Sequence, residues 1–317
     1  MKIDHYTPIR LPPKHLDWHL LAPALGEARA SLARYDETLR MIPKPVLEIL
    51  KWEEAISTIR SQKIETDFME ILRFSIDGTA DEKRAPLLQK TLNAKAGIDF
   101  AIDWSHKKPL NSAFLCNLHA ILKKDAPNPA EIGRFRKRQN WIGVEGCPIE
   151  EAYFFPPKAH LVPKLLKDWQ SYQNKREEPL IQLALLFAQL LIIHPFMDGN
   201  GRVARTHTPV FLYKKKLLCA PYLFLSAYFE DHLLQYLQKL FDISESNDWE
   251  SWILYFLKGV SLRSQRMKTQ AQRLYELFLK VGREALFVQP ISLKKKKLLT
   301  EHSKGFFIFE PLFDAIR

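Results

Sequence analysis

Apolar and polar positions along this chain repeat with a helical period over most of its length. The pattern opens near residue 25 with "LGEARASLARYDETLRMI", is interrupted by Pro43 and Pro45, and resumes over 46–72. The stretch "SIDGTADEKRAP" breaks it, because Asp-Gly favours a turn. Residues 87–124 predict two further helices separated near 107–109, and 160–172 predicts an amphipathic one. The segment 180–194, "LIQLALLFAQLLIIH", is apolar on every side, which places it at the centre of a bundle. It should stop at His194, since the residue before a proline is pushed out of the helical region. A new helix should begin near 200–201 and run through "RVARTHTPVFLYKKK", with Pro209 a kink or an end, followed by helices over 225–242 and 248–267. Strand character is confined to "RQNWIGVEG", which reads as a hairpin of short apolar strands bounded by glycines, and to "GFFIF" near the end. Residues 1–25, with Pro8, Pro12, Pro13 and Pro23, read as an extended arm. The fold class is therefore mainly α.

Composition narrows this reading without redirecting it. The 317 residues are 46% apolar and 26% charged, the balance of a soluble globular protein with one sizeable core or two unequal domains. No apolar run is long enough to span a bilayer, and the first residues lack the apolar core of a signal peptide, so a cytoplasmic protein with no membrane association is expected. Cys116, Cys147 and Cys219 are sparse and widely spaced, which argues against a disulfide framework or a structural zinc site. The net charge is +11, and residues 261–317 carry +7 of it from twelve Lys/Arg against five Asp/Glu. Such a tail suits nucleic acid or an acidic partner, and equally a solvated surface.

The candidate chemistry lies in "IIHPFMDGNGRVAR", residues 192–205. Gly199 and Gly201 allow backbone angles that place successive N–H groups around a concavity, and the next helix points its N-terminus at the same spot. Together they attract an anion, most naturally a phosphate. Asn200 suits the N-cap and would fix the loop's shape. Arg202 and Arg205, three apart, share a helix face and would grip phosphate oxygens, which suggests a di- or triphosphate. Asp198 is placed to hold Mg²⁺ beside such phosphates. His194 is a base in reach of neutral pH that could deprotonate an incoming hydroxyl. Phe196 reads as an apolar peg. Each residue alone is more often a helix end, a turn or a surface; the functional reading rests on their coincidence in one run behind a rigid helix.

"HPFMDGNGRVAR" resembles the signature of Fic-domain proteins, H-P-F-x-D/E-G-N-G-R-x-x-R, at all nine specified positions. "GRFRKRQNWIG", "AYFFPPKAHLVPKLLKDW" and "PYLFLSAYFE…DWESWILYFLKGV" resemble the family's segments around it, so the similarity covers roughly residues 30–265. The resemblance implies a Fic-type helical bundle with a small β-hairpin flap, organised as an N-terminal arm (1–30), a helical region (31–109) with an inhibitory-helix-like segment near 66–79, a core (110–265), and a basic, truncated winged-helix-like tail (266–317). It implies transfer of AMP from ATP to a Ser, Thr or Tyr hydroxyl of a target protein, the chain itself included, with release of pyrophosphate. His194 would be the general base and Asp198 the Mg²⁺ ligand. Gly199, Asn200, Gly201, Arg202 and Arg205 would bind the phosphates, and Asn140, Trp141, Ile142 and Gly143 of the flap would align the target by strand addition.

Two departures stand out against the family pattern. Relatives with an inhibitory helix carry S/T-x-x-x-E-G/N; here "RFSIDGT", residues 73–79, puts Asp77 at the glutamate and Arg73 at the Ser/Thr. Aspartate is one methylene shorter, so either the brake through Arg205 is weakened or Asp77 replaces glutamate with slight adjustment. Relatives often end in a winged helix, but "GFFIFEPLFDAI" matches only that module's last strand and helix, so a full DNA reader does not fit and a cap or homodimer interface is the alternative. Transfer of another nucleotide or phosphate, removal of AMP, and a non-catalytic nucleotide-sensing or DNA-binding regulator remain as other readings.

Overall fold

The structure, a computed structural model, describes residues 5–60, 68–78, 80–143 and 147–281, together with two strand segments at 300–303 and 306–308. Among these residues the architecture is helical: α1 (Trp18–Met41), α2 (Lys44–Arg60), α3 (Phe68–Asp77), α4 (Ala85–Lys107), α5 (Ser112–Leu122), α6 (Val162–Gln173), α7 (Pro179–Ile193), α8 (Asn200–Lys214), α9 (Ser226–Asp231), α10 (Leu233–Ser246) and α11 (Trp249–Val281). Strands β1 (Thr300–Ser303) and β2 (Phe306–Ile308) pair antiparallel, so the described part of the "GFFIF" segment, 306–308, is a strand; most of the remaining tail lies outside the described residues.

Helix α7 is the axis of the molecule. Every residue from Leu180 to Ile193 is buried, as an all-round apolar helix requires. Two tryptophans brace it from opposite neighbours: Trp169 of α6 donates its indole N–H to the Leu186 carbonyl at 2.8 Å, and Trp252 of α11 donates to the Ala184 carbonyl at 2.8 Å. Phe187 projects into a nest formed with Phe229, Tyr236, Trp252 and Phe256. Offset and edge-on ring pairs of this kind add roughly 0.5–1.5 kcal/mol each beyond the area they bury.

One apolar cluster runs from Leu11 to Phe278 and joins the N-terminal helices to the rest. Helices α1 and α11 lie along one another, with Ser31 and Ser261 sharing a hydrogen bond at 3.1 Å. Helix α2 is tied to α11 by the buried Glu53–Arg263 ion pair at 3.0 Å and to the start of α9 by Glu54, which accepts from the Ser226 hydroxyl at 2.5 Å. No helix among the described residues is long and apolar enough to cross a membrane.

Three boundaries differ from the pattern-based reading. The arm ends at residue 17, not 25 or 30: Asp17 caps α1 by accepting from the His19 and Leu20 N–H groups, and burial of Leu21 and Ala28 carries the helix across Pro23, which removes a single hydrogen bond. The tail's first part, 266–281, continues α11 as helix. The helix expected over 225–242 is two, α9 and α10, broken at His232. The segment read as a hairpin is reduced, among the described residues, to one antiparallel bridge between Ile142 and Phe154, with 144–146 outside them. Pro148, Pro156 and Pro157 bound the returning segment and have no N–H to extend a ladder.

Candidate active site

The loop between α7 and α8 is held open by its own side chains. His194 caps α7 in the left-handed conformation (φ 49°), and Gly199, also left-handed (φ 84°), precedes the first residue of α8. Gly199, not Asn200, is therefore the N-cap. Asn200 instead folds its amide back on the loop, accepting from the Phe196 N–H and donating to the Phe196 carbonyl, both at 2.9 Å. Phe196 is fully buried, stacked on His119 with ring centroids 4.0 Å apart. The loop is thus pinned at its middle, and the first-turn N–H groups of α8 point into the space it encloses. Gly201 leaves room for the Arg205 guanidinium: a Cβ there would sit 2.9 Å from its Nη1.

His194 has a fixed tautomer. Its Nδ1 lies 3.0 Å from the Leu191 carbonyl, an acceptor, so Nδ1 carries the hydrogen and Nε2 keeps its lone pair. Burial pushes its pKa down to about 4, helped by the Arg136 charge, so the ring is neutral at physiological pH. Arg136 is itself buried and serves the carbonyls that α7 leaves without partners. Its Nε donates to the His194 carbonyl at 2.8 Å, and its Nη2 to Pro157 at 2.5 Å and Ile193 at 3.4 Å. Burial lowers its pKa to about 10, which leaves it cationic at the negative end of the helix.

Asp198 is engaged on both oxygens. Oδ1 accepts from the Gly199 N–H at 2.5 Å; Oδ2 pairs with Lys123 Nζ and lies 3.4 Å from Arg202 Nη2. Burial alone would raise its pKa, but Arg202, Lys123 and the Gly199 N–H bring it down to about 2, so it is ionised. Arg202 and Arg205 are both buried. Arg202 donates to the Leu122 carbonyl at 3.3 Å, and its Nε has no partner among the described residues. Arg205 is held by Thr58 of α2, through Nε to the hydroxyl at 2.8 Å and Nη2 to the carbonyl at 3.2 Å.

His194, Asp198, Gly199, Asn200, Gly201, Arg202 and Arg205 all line one cavity of about 760 Å³, together with Ile142 and Gly143. Asn140 does not face it: the side chain is buried and donates to the Phe196 carbonyl at 3.0 Å, which makes it a brace of the loop. Trp141 is not among the residues lining the cavity; it is 40% exposed and its indole donates to the Cys147 carbonyl at 3.1 Å. Asp77 closes α3, but its side chain lies outside the described residues. The opposite wall of the cavity is apolar and comes from α9 and α10, with Phe229, Leu233, Leu237 and Phe241. Neither that wall nor the supporting Lys123, His119, Arg136 and Thr58 is marked in the sequence by the motif; their signal lies only in contacts across 58 to 147 positions.

Among the described residues no cluster of three His, Cys, Asp or Glu side chains could hold a metal ion. The residues present fit Mg²⁺ in one way, as a single carboxylate, Asp198, whose partners would be phosphate oxygens and water.

A helix N-terminus opened by glycine, two buried guanidiniums and an imidazole with a free lone pair are gathered on one cavity of a helical domain. Residues 109–212 match the model of the Fic/DOC family. The protein adenylyltransferase fic-1 of Caenorhabditis briggsae is 32% identical over 79 residues, 25% of this chain and 14% of that protein. The protein adenylyltransferase Fic of Drosophila grimshawi is 27% identical over 143 residues, 42% of this chain and 26% of its own length. A probable protein adenylyltransferase of Aquifex aeolicus is 35% identical over 69 residues, 21% and 22% of the two chains. This chain thus spans about a quarter or less of those relatives' lengths. In fold it is similar to a Fic family protein of Desulfovibrio desulfuricans (TM-score 0.67, 19% identity, 96% of this chain and 86% of that one). It is also similar to a Fic domain containing signaling protein of Bacteroides thetaiotaomicron (TM-score 0.62, 17% identity, 78% and 97%).

Proposed function

We propose that this protein transfers AMP from ATP to a hydroxyl of a protein, with His194 as general base. The observation that carries the reading is the His194 tautomer: Nδ1–H is committed to the Leu191 carbonyl, so Nε2 is a proton acceptor on the same cavity as the α8 N-terminus. In the reaction Nε2 takes the proton of the incoming hydroxyl, whose oxygen bonds to the α-phosphorus. The α–β phosphoanhydride bond breaks, and pyrophosphate leaves with the electron pair. Arg202 and Arg205, with the first N–H groups of α8, offset the charge that builds on the leaving group. Because both guanidiniums are already oriented by Leu122, Asp198 and Thr58, little reorganisation accompanies that step. Asp198 would hold Mg²⁺; when bound, the ion supplies further neutralisation of phosphate charge. The target hydroxyl would enter past Trp141, Ile142 and Gly143, where the Ile142 backbone already pairs with Phe154.

Incubation with labelled ATP and Mg²⁺, beside His194→Ala, tests the proposal. Label on protein in the wild type and none in the variant is expected, with intact mass giving an adenylyl adduct. An adduct of another mass would replace AMP by a different group, and equal labelling of the two proteins would remove His194 as the base.

A further inference from the structure

Lys123 sits where the reading above needs a metal. It is the residue after α5, and its ammonium pairs with Asp198 Oδ2, while Oδ1 accepts from the Gly199 N–H. The pairing is built in. The Lys123 stem runs alongside Gly199, with its Cγ and Cδ 3.5 Å from where a Cβ would project. The lysine side chain is 17% exposed while that of Asp198 is 64% exposed, so the cation reaches the carboxylate from the protein side and leaves its other face to solvent. The end of α5 is anchored on both sides of the loop, by His119 Nε2 on the Asp198 carbonyl at 3.0 Å and by the Leu122 carbonyl under Arg202. His119 Nδ1 accepts from the Gly133 N–H at 2.9 Å, which fixes Nε2 as the donor. A lysine so rooted has few places for its head other than this carboxylate.

We propose that Lys123 is the resident counter-cation of Asp198: it keeps free divalent metal off the empty site and moves to the polyphosphate when nucleotide arrives with its metal. A single carboxylate already paired with an ammonium binds a divalent ion poorly, and among the described residues Asp198 is the one carboxylate lining this cavity. Released from Asp198, the same ammonium is a third cation beside Arg202 and Arg205. The assignment rests on the phosphate-binding reading of this site, but the first half of it is tested without nucleotide or transfer.

The test uses Lys123→Met, which keeps the apolar stem against Gly199, in the full chain. Mn²⁺ is titrated by electron paramagnetic resonance into wild type, Lys123→Met and Asp198→Asn without nucleotide. The variant is expected to bind Mn²⁺ roughly twofold to fivefold more tightly than wild type, the size of a partly exposed ion pair, and Asp198→Asn to lose that binding. Inorganic triphosphate is then titrated without divalent metal, where Lys123→Met should bind more weakly by a similar factor. Unchanged Mn²⁺ affinity in Lys123→Met overturns the counter-cation role. Tighter Mn²⁺ with unchanged triphosphate affinity overturns the transfer of Lys123 to phosphate. Triphosphate binding to neither protein would instead sink the phosphate-site reading while leaving the Mn²⁺ comparison intact. Lys123→Gln repeats the series should the methionine variant fold poorly.

Discussion

His194 combines two demands that usually conflict: it must be positioned by a hydrogen bond and still keep a lone pair. Bonding Nδ1 to the preceding turn of its own helix satisfies both. Burial holds its pKa near 4, so kcat/KM for transfer should stay level from neutral pH down to about 5 and fall toward 4, not near 6.5 as for a solvated imidazole. His194→Ala should reduce the transfer rate by about a hundredfold or more while nucleotide binding, followed calorimetrically, is retained. Arg136→Lys should lower unfolding free energy by about 2 kcal/mol in urea titrations, because an ammonium cannot serve the His194, Ile193 and Pro157 carbonyls together. The motif residues were legible in the sequence because their chemistry is local, within twelve consecutive positions. Arg136, Lys123, His119 and Thr58 were not, since each acts through a contact that only the folded chain creates. Asn140 shows the same limit: its place beside the flap was readable, its inward direction was not.

Among the helices, those whose apolar stripe is continuous were read almost to the residue. α7 was read as a buried helix ending before Pro195, and it is. α4 and α5 separate where Lys107 and Pro109 suggested. The errors fall where a cap or a proline competes with periodicity, as at Asp17 and Pro23 in α1. Close helix contacts are equally invisible to pattern. Gly259 in α11 lies under the Tyr228 ring of α9, and a Cβ there would come within 2.6 Å of two ring atoms. Gly259→Ala should therefore destabilise by about 1–2 kcal/mol in thermal or urea unfolding, despite alanine's better helix propensity, because overpacking outweighs that gain.

Among the described residues three histidines are held neutral, His119 and His194 at about 4 and His207 at about 3, each lowered chiefly by desolvation. Their folded values lie below the unfolded 6.5, so the unfolded chain binds the extra protons and stability falls as pH drops through that window. Glu54, raised by burial to about 7 against the pull of Ser226, Arg205 and Arg263, works the other way. From these four groups the net excess is about two protons near pH 5, falling below one by pH 6.5, and stability measured in urea should rise with pH accordingly. Replacing His207, which rests on Gln173 at 2.8 Å, by Gln should flatten the slope by about one proton.

The two indoles hooked onto α7 carry a kinetic implication. Backbone amides of that helix should exchange with deuterium only when the entire fold opens, while those of α10 exchange through local fraying, since Leu234 is 84% exposed and only Tyr236 and Ile243 are buried there. The imidazole then behaves as a fixed post and the facing wall of α10 as the compliant side of the cavity.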